Sequence, residues 1–203
     1  MRYVDLSHSF RDDMPVYPGD PQARLERIAD IPAVGYTDHT ISSGVHVGTH
    51  MDGPLHMIDG GKKLSEFPIE TFFGRGMLVD ARGKKEVTAD LVPQTVAVGD
   101  IVLVLTGFGE RYGSSEYLND HPILAEEFAR EIVRRGVKIV GLDFLSPDKS
   151  PFPVHKILLG ADILIIENLT NLQELLNTAF EVIVLPIKID ADSAFCRAVA
   201  RIA

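Results

Sequence analysis

His46-Val-Gly-Thr-His50-Met-Asp52-Gly-Pro-Leu-His56 gathers three of the chain's seven histidines and an aspartate within eleven residues. Neutral imidazole and carboxylate are the usual ligands of zinc and similar divalent ions. The four polar residues occupy even positions, and in an extended chain alternate side chains share a face. Val45, Val47, Thr49 and Met51 take the opposite face. The stretch therefore reads as a strand with one side in a core and the other presenting ligands, with Thr49 as core or as support behind them. Four residues of straight strand span about 13 Å at ~3.3 Å each, too far for His46 and His50 to close on one tetrahedral ion with bonds of about 2 Å. The chain must bend, and Gly48 at the midpoint makes that cheapest. Gly53-Pro54 ends the strand and turns His56 back towards the site. A helix would also align His46 with His50, but Gly48, Gly53 and Pro54 disfavour one. A lone histidine on a polar face is ordinarily hydrogen-bonded to its neighbours; three with an aspartate beside a glycine hinge point to metal.

Outward from this stretch, 203 residues suit one domain over 1–203 with a substantial core. Hydrophobic residues make up 45% and charged residues 24%, as in ordinary globular proteins. The net charge of −9 disfavours nucleic acid and anionic membrane as partners. The first residues, MRYVDLSHSF, run directly into a strand-like segment without the pattern of a signal peptide. The apolar runs near 101–105 and 162–166 are too short to cross a bilayer. Cys196 is the only cysteine, so neither an intrachain disulfide nor a thiolate cluster can form, and a cytoplasmic location fits.

Strands are expected at Tyr3–Ser7, Ala23–Ile28, His39–Ser43, Gly76–Asp80, Ile101–Thr106, Val137–Leu142, Asp162–Ile166 and Val182–Ile189. Met14-Pro-Val-Tyr-Pro-Gly-Asp-Pro21 is an irregular loop. Pro122 to Arg135 predicts a helix, with Leu124, Phe128 and Ile132 at i+4, arginines in its last turn and Gly136 beyond it. Ala194–Ala203 is either an interface strand or a core strand. Short strands early and helix–strand alternation later indicate a mixed α/β layered domain. No glycine-rich loop follows a first strand, so a doubly wound nucleotide fold is excluded.

Two distant residues stand out. Glu167 ends the apolar run Ala-Asp-Ile-Leu-Ile-Ile-Glu, where a carboxylate is expensive to bury unless paired or bound to a cation; it either binds there or emerges to solvent or an arginine. His155 falls in the first turn of a short helix after Pro153, as a ligand or as a surface histidine.

H-x-G-T-H-x-D-x-P-x-H resembles the signature of the metal-dependent cyclase family, which includes bacterial kynurenine formamidases and isatin hydrolases. Asp5-Leu-Ser-His8, Met14-Pro-Val-Tyr-Pro-Gly-Asp20, Phe152-Pro-Val-His155, Leu158-Leu159 and Ile166-Glu167-Asn-Leu-Thr-Asn-Leu172 match its other blocks in order. The resemblance implies a compact mixed β/α domain of the swivelling β/β/α type, assembled as homodimers or homotetramers. It implies one or two divalent ions, zinc ahead of manganese. His46 and His50 would hold the first ion, Asp52 and Glu167 would bridge both, His155 would hold the second, and His56 would transfer protons. In the formamidases a tryptophan of the opening loop lines the substrate pocket; here Tyr17 stands there and the chain has no tryptophan. Tyr17 can stack on an aromatic substrate or simply anchor its proline-rich loop.

The expected activity is metal-assisted hydrolysis of a small-molecule amide, either a formamide or a cyclic amide, with arylformamidase chemistry as the model. Ring-opening or ring-closing on another carbonyl substrate is the nearest alternative, and a non-catalytic metal-binding or ligand-sensing protein the alternative of another class. A spare base, His56, speaks against the latter, since a purely structural ion is usually closed by four protein groups. No G-x-S-x-G elbow and no H-E-x-x-H motif occurs.

Overall fold

The computed structural model describes residues 1–202. Strands β1 (Arg2–Asp5), β2 (Arg24–Ala29), β3 (Asp38–Ser42) and β4 (His50–Asp52) precede β5 (Phe73–Asp80), β6 (Glu86–Val87), β7 (Ile101–Leu105) and β8 (Ile123–Leu124). Strands β9 (Ile139–Leu142), β10 (Leu164–Glu167), β11 (Phe180–Pro186) and β12 (Ser193–Ile202) complete the set. The helices are α1 (Ile31–Val34), α2 (Ser115–Asn119), α3 (Glu126–Arg135) and α4 (Pro153–Leu159). The main sheet runs β1-β12-β11-β5-β7-β9-β10-β4, and β4 pairs again with β12, so seven strands close into a barrel with β1 outside β12. β5, β7, β9 and β10 are parallel neighbours; the other pairs of this sheet are antiparallel.

Period-2 alternation divides the apolar side chains into two cores. Ile101, Leu103 and Leu105 fill the barrel with Met51, Ile139, Leu164, Ile166, Val182 and Ala198. Val102 and Val104 face outward with Val140, Leu142 and Ile165, against Phe128 and Ile132 of α3 and Val154 and Leu158 of α4. On β10, Glu167 follows Ile165 on the outer face; on β4, His50 and Asp52 flank the inward Met51. The outer face beneath α4 therefore receives the ligand-type residues. Among the described residues no helix is long and apolar enough to cross a membrane.

The mixed α/β layering follows the sequence expectation; several boundaries differ. The histidine stretch is strand only over His50–Asp52, because Gly48 adopts φ 61° and breaks the run, with Val47 making an isolated bridge to Val16. The φ region at Gly48 suits glycine alone at low cost, and a Cβ there would lie 2.6 Å from Met14 Cε. The helix expected from Pro122 begins at Glu126, since Ile123–Leu124 pairs with Glu86–Val87 as a short parallel strand. The strand expected over Tyr3–Ser7 is Arg2–Asp5, with Ser7 in an isolated bridge. The strand expected over Val182–Ile189 is Phe180–Pro186, ending where proline removes a donor. The C-terminal segment is a core strand between β1 and β11, not an edge; Ala203 lies outside the described residues. β2 and β3 form a separate exposed hairpin instead of leading into the main sheet.

Candidate metal centre

Strand register assembles the site. Antiparallel pairing of β10 with β4 sets Glu167 opposite His50 and Ile165 opposite Asp52. β12 on the other side sets Ser193 opposite Asp52. α4 then lays His155 over the same face, with Pro153 in its first turn. The result is a concentration of buried ionisable groups: His50 and Asp52 are each 1% exposed, His155 2% and Glu167 6%. No lysine or arginine lines the cavity that these groups open into, among the described residues. Burying two carboxylates beside two imidazoles without a cationic side chain is unfavourable unless protons or a cation balance them.

The atoms gather into two triads sharing Asp52: His46, Asp52 and His56, and His50, Asp52 and Glu167. His46 Nδ1 lies 3.0 Å from Asp52 Oδ1. His50 Nε2 lies 3.4 Å from Asp52 Oδ1 and 3.4 Å from Glu167 Oε2. His155 Nε2 lies 3.5 Å from the other Glu167 oxygen. His46 and His50, which the resemblance assigns to one ion, fall in different triads, their rings edge-on with centroids 5.3 Å apart.

Every one of these rings is held from behind. His46 Nε2 donates to Asp192 Oδ2 at 2.8 Å. His50 Nδ1 donates to the Gly48 carbonyl at 2.9 Å. His155 Nδ1 donates to Asp148 Oδ1 at 2.5 Å, while the other Asp148 oxygen accepts from the Val154 and His155 N–H groups at the start of α4. Each ring thus turns its second nitrogen inward, the arrangement that orients metal-binding histidines. His50 Nε2 and Asp52 Oδ1 are buried and have no hydrogen-bond partner. Inward imidazole nitrogens, two carboxylates and orphaned buried atoms at their meeting point fit a divalent cation with N/O ligands.

Charge balance in the metal-free protein points the same way. Burial lowers the His46 pKa, but Asp52 and Asp192 outweigh it and raise it to about 9. His155 is likewise raised to about 10 against burial, by Asp148 and Glu167. Asp52 is held well below the usual carboxylate range despite complete burial, by His50, His46 and His56. Protons occupy the place of a cation, and cation binding releases them.

His56 differs. It sits just past the Pro54 turn, its Nδ1 3.2 Å from Asp192 Oδ2, and its ring lies 4.1 Å from that of His46. Burial lowers its pKa, with Asp52 opposing and His46 adding to the drop. Tyr17 lines the cavity, with Pro15, Asp20, Met57, Leu145, Ser146 and Phe152; the space is about 270 Å³. Thr49 supports from behind, its hydroxyl donating to the Asn168 carbonyl at 2.7 Å and accepting from the His8 N–H at 2.9 Å. The residues that sequence reasoning missed are Asp148, Asp192 and Asn168. Asp148 precedes a proline-rich helix start and Asp192 immediately precedes the last strand, but neither shows a local pattern; their partners are set by tertiary pairing. Asn168 Nδ2 donates to the same Gly48 carbonyl that anchors His50, and its Oδ1 accepts from Tyr117.

The Cyclase family model matches residues 4–149. A kynurenine formamidase of Erythrobacter litoralis is 30% identical over 208 residues, covering 98% of this chain and 94% of the relative. Among solved structures, isatin hydrolase A from Labrenzia aggregata, bound to benzyl benzoate, superposes with a TM-score of 0.88 at 27% identity, covering 98% of this chain and 93% of the other. A protein described as a predicted metal-dependent hydrolase from Bacillus stearothermophilus superposes with a TM-score of 0.82 at 27% identity, covering 98% and 97%.

Proposed function

The chain belongs to the cyclase family, and from that premise we propose that it is a metal-dependent hydrolase that cleaves the C–N bond of a formamide or cyclic amide. The observation that carries this reading is the juxtaposition of the Asp52-centred ligand set with a further imidazole, His56, held by Asp192 beside it. His46, His50, Asp52, His155 and Glu167 hold one or two divalent ions, zinc ahead of manganese. A bound ion supplies Lewis acidity and lowers the pKa of water from ~15.7 towards about 7.

The protein's own part is positioning and proton transfer. With its Nδ1–H engaged by Asp192, His56 presents Nε2 as an acceptor. Its lowered pKa keeps it unprotonated at neutral pH, ready to act as a base. As the water oxygen adds to the carbonyl carbon, His56 takes one of the water's protons, and it returns that proton to the leaving nitrogen as the C–N bond breaks and the carboxyl product forms. Tyr17 and Phe152 offer aromatic faces to a planar substrate.

One observation favours the cyclic amide over the amino-acid formamide. The cavity has Asp20 near Tyr17 and neither lysine nor arginine among its described lining residues. A substrate carboxylate finds no cationic partner there, whereas an uncharged bicyclic ring needs none. The test is turnover of N-formylkynurenine and of isatin by zinc- and manganese-loaded protein, before and after chelation. Chelator-sensitive hydrolysis of either supports the reading, with isatin the faster. Metal binding without hydrolysis of any formamide or cyclic amide overturns it in favour of a non-catalytic metal protein. A homodimer or homotetramer and a cytoplasmic setting complete the proposal, by analogy with the family and the lone cysteine.

A further inference from the structure

Asp192 does not line the cavity, yet one of its oxygens contacts two of the rings that do. Oδ2 accepts from His46 Nε2 at 2.8 Å and from His56 Nδ1 at 3.2 Å. The carboxylate is placed firmly: its own carbonyl accepts from the Gly53 N–H at 2.8 Å, and the next residue, Ser193, pairs with Asp52 and donates its hydroxyl to the Met51 carbonyl at 2.8 Å. The segment carrying Asp192 is therefore bonded to the residues on both sides of Asp52.

We propose that Asp192 is a positioning residue that orients the ligand His46 and the proton carrier His56 together, through one oxygen. Each ring has two nitrogens, and only one arrangement of each serves. His46 must keep Nε2–H outward so that Nδ1 faces Asp52; His56 must keep Nδ1–H towards Asp192 so that its Nε2 stays an acceptor. A single carboxylate enforces both, so cation affinity and proton transfer depend on the same atom. His155 and His50 have independent anchors, Asp148 and the Gly48 carbonyl, and Asp192 contacts neither of them through a hydrogen bond. The inference rests on the proposed hydrolytic reading but is tested apart from it.

The test compares wild type with D192A and D192N, with D190A as a control in the same loop, where Asp190 pairs with Lys63. The first readout is zinc affinity by competition with a chromogenic chelator. The second is the protonation pattern of His56 in zinc-loaded protein, from long-range ¹H–¹⁵N spectra of ¹⁵N-histidine samples at neutral pH. D192A is expected to weaken zinc binding by about 10–100-fold, the usual cost of losing an outer partner. It also moves His56 from the Nδ1–H form to a mixture of both forms, while D190A changes neither. D192N, of the same shape with an uncharged and weaker acceptor, shows smaller losses in both and keeps the test informative should D192A not fold. Unchanged affinity and an unchanged His56 form in both variants overturn the proposal, whatever the enzyme's substrate. Failure of wild type to bind zinc or manganese overturns the metal reading instead, and the His56 spectrum of metal-free protein still decides the role of Asp192.

Discussion

Two histidine pockets flank the turn at Gly48, and one holds charge where the other is neutral. Towards α4, half-buried His46 and buried His155 lie among Asp52, Asp148, Glu167 and Asp192 and keep their protons up to about pH 9 and 10. On the other side, the His8 ring stacks on Tyr112 at 3.7 Å between centroids, next to Met14 and Val47. There burial, with Arg11 adding to it, lowers the His8 pKa to about 4, and burial raises Tyr112 to about 12. His8 Nε2 and the Tyr112 hydroxyl are buried without partners. His8 and His46 are both half-buried imidazoles; carboxylates make the difference. Desolvation alone turns a histidine into a neutral packing ring, whereas desolvation together with backing carboxylates makes a site that demands positive charge.

The largest perturbation of this contrast removes the carboxylate that both triads share. Asp52→Asn is expected to lower zinc affinity by more than the ~100-fold upper range for an outer partner, with turnover lost at ordinary metal concentrations; chelator competition and metal analysis of purified protein measure it. His56→Ala leaves the ligand set in place, so metal content stays at the wild-type level while kcat falls by about 10²–10⁴ with KM little changed. Wild-type rates from that variant would remove His56 from the reaction.

Stability against pH separates the pockets further. In metal-free protein His46 and His155 have folded pKa values above their ordinary 6.5. Their contribution is complete below pH 6.5 and is lost as pH rises through 9 to 10, on the order of 3–5 kcal/mol for each. Urea unfolding of the chelated protein at pH 6.5 and pH 10 checks it. A bound cation replaces those protons, so metal-loaded protein is expected to keep its stability over the same range. His8 works in the opposite sense. Its folded pKa lies below the ordinary value, so stability falls as pH drops from 6.5 towards 4, on the order of 2 kcal/mol after discounting its partial exposure. His8→Phe is expected to flatten that acid limb and leave the alkaline limb untouched; an unchanged acid slope would assign the loss to other groups.

Much of the candidate site's arrangement is legible because it follows from local rules. Even–odd alternation put His50 and Asp52 on one side of Met51, and the need for a bend singled out Gly48. An expensive carboxylate at the end of an apolar run marked Glu167, and the structure gives it two imidazoles instead of solvent or an arginine. What stayed hidden depends on pairing between distant segments. Nothing near Asp192 says that β12 will lie against β4, and nothing near Asp148 says that α4 will fold back over its own approach. At Ile123–Leu124, a strand, the sequence pattern predicts helix because an i+4 apolar stripe runs into it, and periodicity cannot separate two residues of strand from the lead-in to a helix. The fold class was recoverable from the pattern of elements; closure of the sheet into a barrel was not, since it hinges on a three-residue strand.

That strand, β4, has a consequence for how the molecule comes into being. Its partners β10 and β12 lie in the last quarter of the chain, so joining them closes long loops. During synthesis, the histidine segment is made before either of its partner strands. A chain arrested before Asp192 retains the anchors of His50 and His155 but lacks the one that His46 and His56 share, so the geometry of the candidate site also reports whether the last strand has docked.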